Sequence, residues 1–208
     1  MGRDDWYRNK DWNPEIEAQF LARLKRARDK AQYLRIQACT LARSHPKTAL
    51  MLLEQYFGSG DHFDRAQAYV DQAAAFLALG EIEKAFAAYE LALAREQEYP
   101  NLLTQAYLEF PFLIATTGQS DKYERAIEIL NQSRSRPMFP ADRFKWHAAH
   151  ALIFAAAEDA SAARQHARAA LNDATAGHSG FRYHPSLGLV GSKHLDLRER
   201  LAELAREE

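Results

Sequence analysis

The chain of 208 residues suits one large domain or one short repeat array, and 47% apolar against 26% charged residues leaves ample material for a continuous core. With 27 Lys and Arg against 28 Asp and Glu the net charge is −1, which argues against a nucleic-acid binder, a class that is usually strongly basic. A single cysteine excludes an intrachain disulfide and fits a reducing compartment, no run approaches the length of a membrane span, and the start MGRDDWYRNKDW lacks the apolar stretch of a signal peptide, so the expected location is cytoplasmic.

Alanine is abundant and β-branched residues are scarce, which favours helix throughout. Residues 1–30 read as an aromatic arm followed by an amphipathic helix. Trp6, Tyr7 and Trp12 stand in otherwise polar sequence, and such aromatics either dock onto the body or anchor a partner. Asn13 is a good N-cap and Pro14 a good first helical residue. Ile16, Phe20, Leu24 and Ala27 then form one apolar stripe. Arg23, Lys25, Arg26, Arg28 and Lys30 make a basic run, either a solvated face or a landing site for an acidic partner.

Residues 31–176 repeat themselves. A first copy carries Tyr33, Ile36, Thr40, Ala49 and Leu53, with a turn at Ser44-His45-Pro46. The second, best preserved at 66–100, has Tyr69, Ala73, Phe76, Gly80, Ala85, Tyr89, Ala92 and Pro100. The third has Tyr107, Phe110, Ile114 and Gly118, then Ala126 and Leu130 after a turn about three residues longer than usual. The fourth has His147, His150, Ala151, Phe154, Ala163 and Ala167. The lead position recurs at Tyr33, Tyr69, Tyr107 and His147, at spacings of 36, 38 and 40. Each copy reads as two helices joined by a tight turn. Gly58-Ser59-Gly60, Pro100-Asn101 and the Pro137/Pro140 pair separate successive copies. Cys39, amid apolar residues on the first copy's leading helix, is expected to be a buried small hydrophobe.

Residues 177–208 differ. The stretch GFRYHPSLGLVG is too apolar for a plain connector: Phe181, Tyr183, Pro185, Leu187, Leu189 and Val190 are expected to pack on the last copy, with Arg182 and His184 pointing outward or meeting a partner. The tail places Leu197, Leu201 and Leu204 on one stripe, with Asp196 and Glu199 as a capping box, and reads as a helix covering the open end of the array.

The second copy resembles the tetratricopeptide (TPR) repeat, W-x2-L-G-x2-Y…A-x3-F…P, and the resemblance extends over roughly residues 31–175. The flank also resembles that of bacterial TPR proteins of unassigned role that begin with a D-W-aromatic-R-N segment, here Asp5 to Asn9. The family implies an all-α solenoid of about four helix pairs whose leading helices line a concave groove for peptides or proteins. Carried onto this chain, the groove positions are Leu34, Ala38, Leu41 and Ala42; Val70, Ala74, Leu77 and Ala78; Leu108, Phe112, Ala115 and Thr116; Ala148, Leu152, Ala155 and Ala156. Nearly all are apolar. Members that clamp a peptide carboxylate need Lys, Arg and Asn there, so that reading is rejected. An apolar groove of this kind is either filled by the chain's own termini, through Ile16, Phe20 and Leu24, the aromatic arm or the glycine-containing loop, or it receives an amphipathic helix of another protein.

Little else carries chemistry. His147 and His150 share a helix face, with His166 on the partner helix, yet they occupy positions that are aromatic in the other copies, so packing accounts for them and no metal is expected. GLVGSK at 188–193 lacks the phosphate-loop spacing and a preceding strand. No catalytic triad, carboxylate pair or cofactor fingerprint is present. The sequence therefore points to a non-enzymatic protein-binding scaffold without cofactors that takes a protein or amphipathic peptide. The partner-binding residues expected are Leu34, Leu41, Val70, Leu77, Leu108, Phe112, Leu152, Trp6, Trp12, Arg182 and His184; homo-oligomerisation is compatible with this. The alternative is a dedicated inhibitor or immunity-type protein that occludes a toxin or enzyme.

Overall fold

The structure is a computed structural model that describes residues 5–60 and 63–206. Among these residues the chain is all-α, with ten helices, two 3-10 turns and no strand. It divides into two compact units, Met1–Ala106 and Tyr107–Glu208.

The first unit holds α1 (Pro14–Arg26), α2 (Lys30–Leu41), α3 (Pro46–Gly58), α4 (Arg65–Ala78) and α5 (Ile82–Glu98). The local chemistry of the helix ends explains these bounds. The Asn13 side chain accepts from the Ile16 amide and Pro14 opens α1; Asp29 caps α2 through the Gln32 amide; Pro46 opens α3. α2 pairs with α3 and α4 with α5, α3 packs on α4, and α1 lies against α2. The core gathers Phe20 and Leu24 of α1 with Leu34, Ala38 and Leu41 of α2 and Leu52, Leu53 and Tyr56 of α3, and Trp6, Tyr7, Trp12 and Tyr33 pack against it.

A polar network crosses this unit. Arg35 of α2 pairs with Asp64, and with Asp71 at 3.0 Å. The Tyr56 hydroxyl donates to Asp64 at 2.6 Å, and Gln67 donates to Asp71 at 3.1 Å. Asp71 is buried, and desolvation raises its pKa against the opposing pull of Gln67 and Arg35. Cys39 is exposed rather than buried: the apolar pattern around it places its neighbour Ala38, not Cys39, toward the core. Desolvation and the Asp71 carboxylate push its thiol up to about 11, so it is protonated at neutral pH.

The second unit takes in α6 (Ala106–Thr117, from its second residue), α7 (Tyr123–Gln132), α8 (Pro140–Ala156), α9 (Ala160–Ala174) and α10 (Leu195–Leu204). The long turn before α7 is filled by a 3-10 turn, Ser120–Lys122. α8 and α9 form a hairpin, and α10 packs on both. The core here unites Phe144, Ala148, Ala151, Ala167, Ala170 and Leu201, with Phe112, Val190, Leu197 and Leu204 packed against it. The capping box expected at Asp196 and Glu199 is not formed. A 3-10 turn, Ser192–His194, leads straight into α10 and puts His194 at the N-cap, where its side chain does not cap the helix. Asp196 lies inside the first turn instead, where its charge suits the helix dipole.

One turn recurs at equivalent points of the sequence pattern. Gly80, Gly118 and Glu158 have φ of 75°, 70° and 61°, each eleven residues beyond Tyr69, Tyr107 and His147. In each case the next amide reaches back to a helix carbonyl: Glu81 to Phe76 at 2.9 Å, Gln119 to Ile114 at 3.1 Å and Asp159 to Phe154 at 3.0 Å. This left-handed cap closes helix carbonyls that would otherwise lack donors. Glu158 adopts a conformation that costs a side chain about 1 kcal/mol relative to glycine.

Candidate functional site

The expected groove residues separate by burial. Leu34, Leu41, Leu108 and Leu152 are buried, while Val70, Leu77 and Phe112 are half-buried. In the first unit the face carrying Leu34, Ala38 and Leu41 lies in one core with Phe20 and Leu24, so α1 and the arm cover it. In the second, Phe112 and Ala148 share a core with Leu197, Leu201 and Val190, so the C-terminal segment covers them. Trp6 and Trp12 are docked: the Trp6 ring lies 5.4 Å from Phe20 and 4.9 Å from Tyr33, and Trp12 lies 5.6 Å from Phe20. The basic run from Arg23 to Lys30 is exposed.

A residue the sequence did not single out holds the arm down. Gln37 is fully buried. Its amide oxygen accepts from the Asn9 backbone and side-chain N–H groups at 3.0 Å each, and its Nε2 donates to the Asn9 carbonyl at 2.8 Å. A glutamine at a helix position between apolar neighbours was the one signal available.

Two surfaces of the second unit remain open. The first is the loop between α9 and α10. Ser179, itself buried, ties it: its N–H donates to the Pro185 carbonyl at 2.7 Å and its hydroxyl to the His184 carbonyl at 2.6 Å. Gly188 closes the far side. Its φ is +67°, a Cβ there would stand 2.5 Å from the Phe139 side chain, and its carbonyl accepts from the Ala141 amide at 2.8 Å at the start of α8. This close approach accounts for the glycine without any phosphate. The loop residues expected to pack inward do so only in part. Leu189 and Val190 are half-buried, but Pro185 is exposed, as are Phe181 at 42%, Tyr183 at 80% and Leu187 at 52%. The Ser179 bonds fold the loop back onto its own carbonyls, and residues 181–187 stay exposed. Arg182 and His184 are exposed beside them, with the Arg182 guanidinium 5.5 Å from the Tyr183 ring centre.

The second surface is a cleft of about 450 Å³ along α7, α8 and α9. Trp146, His147, His150, Phe154 and His166 form its aromatic side, with Asn131, Arg134, Arg143 and Gln165 around it. The i, i+3 and i, i+4 spacings of α8 stack these rings on one face, and α9 adds His166. Ring centres of His150 and His166 are 4.6 Å apart and nearly parallel at 9°, and Trp146 lies 4.0 Å from His150. The Trp146 indole donates to the Leu130 carbonyl at 3.1 Å, which fixes it.

The imidazole tautomers follow from their partners. His150 Nδ1 lies 2.9 Å from the Trp146 carbonyl, so it carries the hydrogen and Nε2 keeps a lone pair. His147 and His166 meet Nδ1 to Nδ1 at 3.0 Å and share one hydrogen. Desolvation, with His166 beside it, lowers His150 to about 4; desolvation, with His147, lowers His166 to about 4; desolvation also lowers His147. The cluster is neutral at physiological pH. Among the described residues no group of three or more His, Cys, Asp and Glu is arranged to hold a metal ion, and no helix is long and apolar enough to cross a membrane.

Comparison with protein-family models, curated proteins and solved structures returned no match.

Proposed function

We propose that this chain is a non-enzymatic interaction module of tetratricopeptide type that binds a segment of a protein partner. The helix pairs α2–α3, α4–α5 and α8–α9 support the repeat reading, as does the left-handed turn that returns at Gly80, Gly118 and Glu158. The observation that carries the binding reading is the loop fixed by Ser179. It leaves Tyr183 80% exposed and Phe181 42% exposed, the latter with its ring 5.2 Å from Phe139, next to Arg182 and His184. Aromatic and arginine side chains on a preorganised loop are the residue types that dominate partner binding, and presenting them rigidly lowers the ordering cost of association. Of the expected groove, the half-buried α4 residues Val70 and Leu77 offer a smaller second area.

The test is quantitative affinity capture from the source organism with the full chain, its Phe181→Ser/Tyr183→Ser variant and a Leu77→Glu variant, each checked for unchanged helicity. A specific partner should be recovered with the parent chain and fall at least about tenfold with the loop variant, a loss typical of hot-spot residues. Loss with Leu77→Glu alone moves the contact to α4. If no captured protein responds to either variant, the interaction reading fails.

A further inference from the structure

The cleft along α7, α8 and α9 has a chemistry that partner binding through the loop does not use. Its volume of about 450 Å³ lies within the range of small-molecule pockets. Its charge is one-sided: Arg134 and Arg143 line it, and among the described residues no carboxylate does. Arg143 is held by Asp173, with Nε 2.8 Å from Oδ1. Arg134 is exposed, and its guanidinium has no partner among the described residues; only its backbone amide is engaged, with the Asn131 carbonyl.

Beside these cations the cleft is lined by aromatic rings tilted against one another, Trp146 at 41° to His150 and Phe154 at 31° to His166. The Trp146, His150 and His166 rings are held in contact, and Phe154 continues the wall 5.6 Å from His166. The rings are fixed by the Trp146–Leu130 and His150–Trp146 hydrogen bonds, so a ligand lying on them need not order them. The wall also has acid–base capacity. A proton added at His150 Nε2 turns a lone pair into a charged donor, and one added to the His147–His166 pair supplies another.

We propose that this cleft is a receptor for a small planar anion, a conjugated ring that packs against the half-buried Trp146 or Phe154 ring of its aromatic side with its carboxylate or phosphate taken by Arg134 and an imidazole N–H. The guanidinium fork matches either anion in a two-point, charge-assisted contact. An anion brought to the imidazoles favours their protonated form, so binding takes up a proton. The pocket is distinct from the Phe181–Tyr183 loop, and its failure leaves the partner-binding reading untouched.

Isothermal titration calorimetry of the full chain near pH 6 tests this with 2-naphthoate, adenosine monophosphate and the neutral 2-naphthamide. One anion should bind per chain, with 2-naphthamide at least about tenfold weaker, as expected when a charge-assisted contact is lost. Tighter binding of naphthoate assigns a carboxylate ligand and tighter binding of the nucleotide a phosphate. The binding heat should change between buffers of different ionisation enthalpy in the direction of proton uptake. Arg134→Gln, at an exposed position, should weaken the anion at least about tenfold without changing thermal stability. Three outcomes overturn the proposal: no anion bound at millimolar concentration, the amide binding equally well, or an unaltered affinity in Arg134→Gln.

Discussion

Gln37 on α2 is fully enclosed and gives both ends of its amide to Asn9. A buried amide left without partners costs about 1–3 kcal/mol, so the arm and the glutamine depend on each other, and the aromatic contacts of Trp6 and Tyr7 rest on that clasp. The histidine cluster obeys the same rule with charge in place of a hydrogen bond. In the unfolded chain a histidine titrates near 6.5; in the folded chain His150 and His166 are lowered to about 4. Between these values the unfolded chain binds more protons, so stability is complete above about pH 6.5, declines as the pH falls and levels off near 4. His150 is only 2% exposed and accounts for a loss on the order of 3 kcal/mol. Urea unfolding followed between about pH 7.5 and 4.5 should show a falling midpoint, and His150→Phe should flatten it. An identical slope in the variant would mean that His150 is not held neutral by the fold.

Among the elements, helix ends were the most legible part of the sequence because their chemistry is local. Asn13 with Pro14, the Ser44-His45-Pro46 turn and Gly80 each act on groups a few residues away, and the structure places a helix boundary at all three. The Asp196–Glu199 pattern misled because a box needs its first residue outside the helix, and the 3-10 turn before Leu195 carries the helix start past it. The α9–α10 loop was legible only as an ordered segment. Its determinants, Phe139 against Gly188 and Ala141 N–H on the Gly188 carbonyl, lie far apart in sequence and leave no periodic trace. They make a sharp prediction. Gly188→Ala puts a methyl within 2.5 Å of Phe139 at a positive φ, so the loop must leave the start of α8. Stability should drop by roughly 2 kcal/mol, the range of backbone-strain substitutions. Amide exchange should accelerate from Ser179 to Leu187 while the far-ultraviolet circular dichroism stays that of the parent; unchanged exchange there would refute the coupling.

At the scale of the whole chain, the apolar faces that repeat at Leu34, Leu41, Phe112 and Leu152 were readable from spacing, but spacing is silent about what covers an apolar face. The structure covers two of these faces from within. The arm and α1 close one in the first unit, and Val190, Leu197 and Leu201 close another in the second. An apolar face covered in this way is withdrawn from water by the chain itself. The same cover makes α10 a structural member of its unit rather than a tail. Leu201, fully buried among Phe144, Ala148 and Ala167, carries the argument. Leu201→Ala removes a buried branched side chain and should cost about 2–5 kcal/mol, and ending the chain after His194 should cost more. In both, α8 and α9 should lose hydrogen-exchange protection and the protein should bind a hydrophobic dye, because the face that holds Phe144 is uncovered. Should Leu201→Ala cost under about 1 kcal/mol, within the range of surface substitutions, with α8 and α9 still fully protected, α10 would not be the cover, and the apolar face of this unit would be open to a partner after all.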